Sequence, residues 1–495
     1  MAPLTLTGGP LNLALIATTL CLVYFVGRAF YNLFLHPLRS FPGPISHRAF
    51  PLLRSYHLVE GNLPFHVAKL HAKYGPVVRI TPDELAFSDP QAWKDIYGHR
   101  HNGQEEMAKD DRFYRVIDNI PRGIINERRE EHAMLRRQLS HGFSESSLRG
   151  QEPIIGSYVD LLIQRLREQC NDGKTSLNMR EWLNWTTFDI IGDLGFGSSF
   201  GCLDSSSYHP WVKIISQSFK QNAELLALAN LGFREPIRWI LRTGALTVKK
   251  HQALVREKIM QRMELGVERP DFIEGLIKKK DLDMSRMASN AGTLIVAGSE
   301  TTATLLCGAV FLLTTHPENL QRLVEEVRTS FNSDEEITLT SVSKLTYMLA
   351  CLNEALRRYP PVPAGLPRVV PKGGAYILDK FVPEGTAVAV WQHAVNHDPH
   401  FWTEPQTFAP ERFMGDPKFK GDRLDAMQPF SVGPRNCIGR NLAYAEMRLI
   451  LAKIIYNFDM TIREDSRDWL KNQKAYNLWN KPALNIFMTP VATKG

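Results

Sequence analysis

The run Phe430-Ser431-Val432-Gly433-Pro434-Arg435-Asn436-Cys437-Ile438-Gly439 constrains this 495-residue chain more than any other segment. It frames one cysteine with two glycines, a proline and an arginine. No second thiol or imidazole lies nearby at zinc-ligand spacing, since the preceding cysteine is Cys351 and the nearest upstream histidine is His400. One sulfur must therefore suffice as a ligand, or lie inert. Glycines at 433 and 439 let backbone approach closely and turn without a Cβ penalty, so amide N–H groups can point at the sulfur. Phe430 can cover that approach, and Arg435 can meet an anion beside it. Ile438 to Leu451 reads as a helix, which puts the sulfur just ahead of a helix start, where the macrodipole lowers a thiol's pKa. A buried structural cysteine is the ordinary reading of an isolated thiol; the whole arrangement argues against it.

Three further motifs accompany the cysteine. Ala297-Gly298-Ser299-Glu300-Thr301-Thr302 lies inside an apolar run from Met287 to Thr315 that reads as one buried helix. Gly298 would thin the backbone so that a diatomic ligand can approach, while Glu300 and Thr301 relay protons. Most isolated Glu-Thr pairs have a threonine bonded back to a carbonyl one turn earlier and a glutamate facing water. An acid between apolar flanks, however, is costly without a role. Glu354-Ala355-Leu356-Arg357 falls on a helix expected from about Val342 to Arg358, which places Glu354 and Arg357 on one face. Pro410-Glu411-Arg412-Phe413 follows before the cysteine run.

In type, order and separation these four segments resemble the motifs of the cytochrome P-450 superfamily, F-x-x-G-x-R-x-C-x-G, A/G-G-x-D/E-T-T/S, E-x-x-R and P-x-R-F, and the likeness covers essentially the entire chain. The resemblance implies haem b (iron protoporphyrin IX) with Cys437 as the axial thiolate and metal ligand, donating electron density that favours O–O cleavage. Phe430, Arg435 and Gly439 would surround it. By the same resemblance Thr301 and Glu300 are the catalytic residues, the alcohol steadying reduced oxygen and the acid gating protons, while Glu354, Arg357 and Arg412 form a supporting ion-pair triad. Arg136, Arg368 and Arg435 would reach the haem propionates. Many relatives carry W-x-x-x-R at the first of these positions, where this chain has His132 ahead of Arg136. The implied fold is mainly α with small β-sheets, an α+β arrangement with a long central helix over the haem, preceded by an N-terminal transmembrane helix.

The chain's own pattern agrees with a helical body. Pro153 to Glu168, Trp182 to Leu194, Met287 to Thr315, Pro317 to Ser330 and Leu442 to Tyr456 carry apolar residues at three-to-four spacing, whereas Val77 to Ile80, Glu84 to Ser88, Ala375 to Ile377 and Ala387 to Trp391 read as short strands. No linker, charge block or repeat divides the chain after residue 50, so residues 51–495 are expected to form one catalytic domain. Residues 1–35 differ: no charge occurs before Arg28, and Leu6 to Val26 is long and apolar enough to span a bilayer. Arg28 and Arg39 on the downstream side favour a cytosolic body, and the missing basic n-region speaks against a cleaved signal. Residues 36–50 hold the hinge His36-Pro37-Leu38-Arg39-Ser40-Phe41-Pro42-Gly43-Pro44, whose prolines interrupt any helix.

Six cysteines at 21, 170, 202, 307, 351 and 437 show no paired framework, which suits a reducing compartment. The formal glycosylation sequon Asn184-Trp185-Thr186 would stay unmodified there. A net charge of +7 is spread without any nucleic-acid motif, so no nucleic-acid partner is expected. Arg128, Arg129 and Arg137, with Arg440 and Arg448, can instead make a positive face for an acidic partner; the resemblance implies an NADPH-dependent flavin reductase and an endoplasmic reticulum membrane, crossed once. The expected activity is insertion of one oxygen atom from dioxygen into an apolar small molecule, by hydroxylation or epoxidation, in the style of fungal members that decorate terpenoids or polyketides. A non-oxygenating haem-thiolate isomerase or dehydratase is the alternative, and a haem sensor a more distant one. Substrate choice would rest on Met107 to Ile125, Tyr208 to Leu228 and Pro363 to Leu366.

Overall fold

The computed structural model describes residues 10–100, 104–115, 121–244, 246–266, 269, 271–277 and 283–491. Residues 6–9 of the expected membrane span and 116–120 of the first expected substrate segment lie outside the described residues, as do the side chains of 214–217 in the second. The elements that position the site are the helices α1 (Pro10–Phe30), α2 (Arg129–Ser140), α3 (Glu145–Gln169), α4 (Met179–Phe196), α5 (Met284–Thr315), α6 (Pro317–Ser330), α7 (Thr346–Arg358) and α8 (Arg440–Asn457). The strands that matter are β1 (Val77–Thr81), β2 (Glu84–Phe87), β3 (Ala108–Lys109), β4 (Arg368–Val369), β5 (Ala387–Val390), β6 (Lys474–Tyr476) and β7 (Leu478–Asn480). A mainly helical body with small sheets is therefore observed.

α5 organises the body. Its 32 residues are buried along most of their length, because nearly every turn from Met287 to Thr314 is apolar on more than one face. It packs on α4, α7 and α8, and these helices share the largest hydrophobic core with α3. Gly298 lets α5 approach α4: a Cβ there would stand 2.6 Å from Ile191 Cδ1. The space freed by this glycine is thus filled by a packing partner, which corrects the expectation that it opens a path for a diatomic ligand. β1, β2, β5, β4 and β3 form a five-stranded sheet in that order, with β2 and β5 parallel and the other pairs antiparallel. A second core beneath this sheet joins Phe87, Trp93, Val388, Val390 and Trp402, and Phe413 and Val432 pack against it. Thus the cysteine loop leans on the sheet while its helix, α8, belongs to the helical core.

Most expected elements occur with altered ends. Pro153 does not start a helix but lies inside α3, which begins eight residues earlier at Glu145, where the Ser144 hydroxyl accepts the Ser147 N–H at 3.2 Å and caps the first turn. α7 starts at Thr346 rather than Val342, after a separate 3₁₀ turn over Ser341–Lys344. α1 has no buried residue, and the helical stretch from Pro10 to Leu35 is long and apolar enough to cross a membrane; α5 also passes on length, but 78% of its apolar window is buried in protein, so it is a core helix. Asn184, the sequon acceptor, is buried on α4 and donates to Tyr208 Oη at 3.3 Å.

The connection from α7 to the cysteine loop is held by charge. Glu354 and Arg357 meet in two bonds of 2.7 and 2.8 Å, and Arg412 Nε donates to Glu354 Oε1 at 3.1 Å. All three side chains are completely buried. Arg357 also donates to the carbonyls of Asn396, Pro405 and Thr407, and Arg412 pairs with Asp422, a partner the sequence did not disclose. Trp402 lies 5.1 Å from the Arg357 guanidinium and 5.9 Å from that of Arg412, measured to the ring centroid. Removing Glu354 leaves two buried guanidinium groups facing each other, a loss of about 3–5 kcal/mol. Glu354→Ala is expected to unfold at correspondingly lower denaturant and to purify without a Soret band, whereas an exposed pair such as Arg467–Glu464 should shift the midpoint by less than about 1 kcal/mol when broken.

Candidate active site

The loop before α8 is shaped by its backbone. Gly433 has φ +76°, and a Cβ there would collide with the Tyr97 carbonyl oxygen. The Cys437 N–H donates to the Phe430 carbonyl at 2.8 Å, which closes the loop and sets the sulfur three residues ahead of Arg440, the first residue of α8. Gly439 is different from Gly433: its φ is −88°, and a Cβ would sit 3.7 Å from Phe143. Its contribution is its amide, which lies against the sulfur and lowers the thiol's pKa. Phe430 packs on Tyr444 with centroids 5.3 Å apart, and Arg440 stands 5.9 Å from the Phe430 ring. Part of the Cys437 side chain is exposed, yet desolvation on its remaining sides pushes the thiol above its ordinary value, outweighing the Gly439 amide, Arg136 and Arg440. A bound metal would favour the thiolate further.

On α5, Thr301 is partly exposed and its hydroxyl donates to the Ala297 carbonyl at 2.6 Å. Glu300 is buried, and it does not face water. Its carboxylate pairs with the ammonium of Lys481, which also donates to Thr304 Oγ1 at 2.7 Å. Lys481 follows β7, 181 residues further along the chain, and nothing in its local sequence announces the contact. A second acid is Glu446 on α8, fully buried beside the Thr302 hydroxyl, with burial pushing its carboxyl up to about 8. Neither of its oxygens meets a well-aligned hydrogen-bond partner, and the Thr302 hydroxyl beside it offsets only part of the burial. Glu446 therefore holds a proton at neutral pH. Its position, four residues from both Leu442 and Ile450 on the buried face of α8, was a readable signal of that burial.

Basic side chains converge beside the cysteine loop. His132 and Arg136 come from α2, Lys109 from β3, Arg368 from β4 and Arg435 from the loop. Their mutual proximity is visible in His132, whose pKa falls to about 3 through burial first, then the charges of Arg435, Lys109, Arg136 and Arg368. It is a neutral ring, not a cation. Lys109 is likewise held well below its usual range by burial and by Arg368 and Arg435. Against these groups stands one carboxylate, Glu106, which pairs with Arg435 and, at 3.4 Å, with Arg368. Arg435 also donates to the Glu127 carbonyl at 2.7 Å, and Arg136 spends both terminal nitrogens on Asn436, at 2.7 Å to its carbonyl and 2.6 Å to Oδ1. Arg136 therefore pins the residue preceding Cys437, a role not foreseen.

A haem suits these residues. Its sulfur ligand is presented by a rigid loop, and its two propionates are the anions that this excess of cations lacks. Arg368 and Arg435 would be the cations to hold them, with Lys109 and the neutral His132 beside them as donors; the nearness of Lys109 was not foreseen, because a lone lysine before a short strand carries no motif. The two glycines separate backbone geometry from amide chemistry. Gly433→Ala is expected to abolish the red-shifted carbon-monoxide band of the reduced protein, while Gly439→Ala, which keeps its N–H and makes only an ordinary contact with Phe143, should retain it with a changed position.

The chain matches the cytochrome P-450 family over residues 42–487. It is 49% identical over 485 residues to the cytochrome P-450 monooxygenase tpeC of Talaromyces stipitatus, covering 96% of this chain and 95% of that one. It is also similar to the trichothecene C-15 hydroxylase of Fusarium sporotrichioides, 44% identical over 95% of this chain and 96% of the relative, and to the averantin hydroxylase of Dothistroma septosporum, 43% identical over 95% and 90%. With a family match across nine-tenths of its length and monooxygenases and hydroxylases as relatives, the chain belongs to the cytochrome P-450 family and is a haem-thiolate monooxygenase.

Proposed function

We propose that this monooxygenase hydroxylates or epoxidises an apolar fungal secondary metabolite, of terpenoid or polyketide type, using electrons from NADPH delivered by a flavin reductase. The observation that carries the reading is a loop-held thiol flanked by cations in excess of their carboxylates, within a body where Glu300 and Thr301 lie on the buried helix packed against α8. Names of relatives support the substrate class, since one is named for trichothecene and another for averantin. The balanced reaction is R–H + O2 + NADPH + H+ giving R–OH, water and NADP+.

A haem bound through Cys437 supplies the redox centre at which dioxygen is activated, with the thiolate's electron donation favouring O–O scission. Cys437 would give up its thiol proton on ligation, and the Gly439 amide and the Arg136 contact to Asn436 would hold the sulfur in place. Arg368 and Arg435, with Lys109 beside them, would hold the propionates. Thr301 holds its proton toward Ala297, which would leave its oxygen lone pairs free to accept a hydrogen bond in the pocket, and Glu300 would be the nearby acid that hands on protons. The Glu354, Arg357 and Arg412 cluster fixes the scaffold.

Residues 1–35 act as the membrane anchor, 36–50 as the hinge and 51–495 as the catalytic domain, in the endoplasmic reticulum membrane with the body on the cytosolic side. An exposed apolar α1 and the positive charges of Arg28 and Arg39 after it support that topology. Substrate contacts fall to Met107–Ile125, Tyr208–Leu228 and Pro363–Leu366.

With purified reductase, NADPH and dioxygen consumption should rise on adding an apolar metabolite that shifts the Soret band, in step with hydroxylated or epoxidised product. A protein whose reduced carbon-monoxide adduct shows the thiolate red shift, yet which consumes no NADPH with any shifting compound, would refute the reading. Arg129 and Arg137, exposed on α2, line one cavity of about 430 Å³ beside Pro434 and His132. Reversing both to Glu should slow the first electron transfer at low salt several-fold without altering the haem spectrum, as stopped-flow reduction would report.

A further inference from the structure

Three imidazoles gather where the hinge joins the body, and the oxygenation chemistry uses none of them. His47 lies on the short helix Ile45–Ala49, His57 on the helix Leu52–Val59 and His66 on the helix Leu63–Tyr74. His47 and His66 bring their Nε2 atoms to 3.0 Å, with ring planes within 15° of parallel. The His57 ring stacks on His66 at 3.7 Å between centroids, and its Nδ1 lies 2.7 Å from Asn62 Oδ1. This stack fixes the orientation of His66, while burial fixes His47, which is 2% exposed. His66 is half-buried, so the pair can be reached from solvent.

Two neutral rings that meet in this way share one hydrogen in an Nε2–H···Nε2 bond. The same separation suits another bridge. Two metal–nitrogen bonds of about 2.0–2.1 Å at roughly a right angle hold their nitrogens about 3 Å apart. Ligation needs unprotonated rings. Burial first, then the nearby His57, brings His47 down to about 4, and burial, His57, His47 and Lys69 do the same for His66, so both are neutral at neutral pH. Nδ1 of His47 lies 3.5 Å from Ser46 Oγ, an acceptor beside the ring. Among the described residues no third His, Cys, Asp or Glu converges on the pair, so water would complete the coordination sphere.

We infer that His47 and His66 form a two-imidazole site for a divalent transition-metal ion of the zinc, nickel or copper class, and that the bound ion staples the hinge to the catalytic body. An imidazole-and-water donor set suits these ions. The ion takes the place of the shared hydrogen. The ring that carried it on Nε2 carries it on Nδ1 instead, by exchange with solvent; both Nε2 lone pairs go to the metal, and there is no redox step and no net release of protons. The short helix is also held from the anchor side, since Asn32 Nδ2 donates to the Ala49 carbonyl at 2.8 Å, and it packs on β1. An ion between His47 and His66, 19 residues apart, therefore links the end of the apolar N-terminal helix to the helix Leu63–Tyr74.

The test uses the untagged full-length holoenzyme in nanodiscs, with Zn2+ as the probe. One equivalent should bind in competition with a chelating dye. Zinc-edge X-ray absorption should show nitrogen and oxygen neighbours, the scattering of two imidazole rings and no sulfur, and amide exchange over residues 45–50 should slow several-fold on loading. His66→Gln should lose both the equivalent and the slowing while keeping the carbon-monoxide band and the Soret response to ligand, and His57→Gln, which removes the stacked ring but no ligand, should still bind the ion. Wild-type protein that takes up no zinc at micromolar concentration, a zinc site with fewer than two imidazoles, or an equivalent that survives in the His47→Gln, His66→Gln double variant overturns the inference and leaves a hydrogen-bonded pair only. Should the variants fail to fold, the imidazole count on the wild-type protein decides between the two.

Discussion

Two guanidinium groups closing on the Glu354 carboxylate, all fully buried, are the constraint from which the architecture of the site follows. Neither arginine can be left inside a protein without its acid, so α7 and the Pro410–Phe413 turn are fixed relative to each other. The remaining donors of the two arginines then collect the carbonyls of Asn396, Pro405, Thr407 and Thr403, which organises a segment otherwise poor in secondary structure. From there the chain runs to Phe430 and the cysteine loop. Polar loop backbone is tolerated at this depth because the arginines satisfy it.

The buried acids of the site are treated in three ways. Glu354 lies between two arginines, Glu300 meets one lysine, and Glu446 has no cation and keeps its proton. Identical chemistry thus leads to different charge states, according to what tertiary structure brings alongside. The basic cluster shows the converse. Arg368 and Arg435 share the Glu106 carboxylate with Lys109 close by, Arg136 binds Asn436 instead, and the neutral His132 shows how strongly such a group resists another positive charge. An excess of this kind fits a dianionic ligand.

Much of this was legible because local patterns encode it. The apolar run of α5, its Glu300–Thr301 pair, the Glu354–Arg357 spacing and the glycine-framed Cys437 all depend on neighbours within a few residues, and helix periodicity or turn chemistry carries such information. What escaped lies at long separation or depends on packing. Lys481 reaches Glu300 across 181 residues, Asp422 joins Arg412 through a loop, and Lys109 enters the basic cluster from a two-residue strand. Gly298 was misread for a related reason. A glycine's purpose depends on what stands opposite its missing Cβ, here Ile191 of α4, and no local rule specifies that.

By itself the sequence determined the kind of protein this is: a helical haem-thiolate enzyme with an apolar N-terminal helix, since the ligand sulfur, its glycine-shaped turn and the long apolar helix are each written in contiguous residues. Only the tertiary structure decided the electrostatic state of the site. Whether Glu300 faces water or an ammonium, whether His132 is charged and whether Glu446 is ionised are set by desolvation and by charges a few ångströms away. Those distances come into being when segments hundreds of residues apart are packed together.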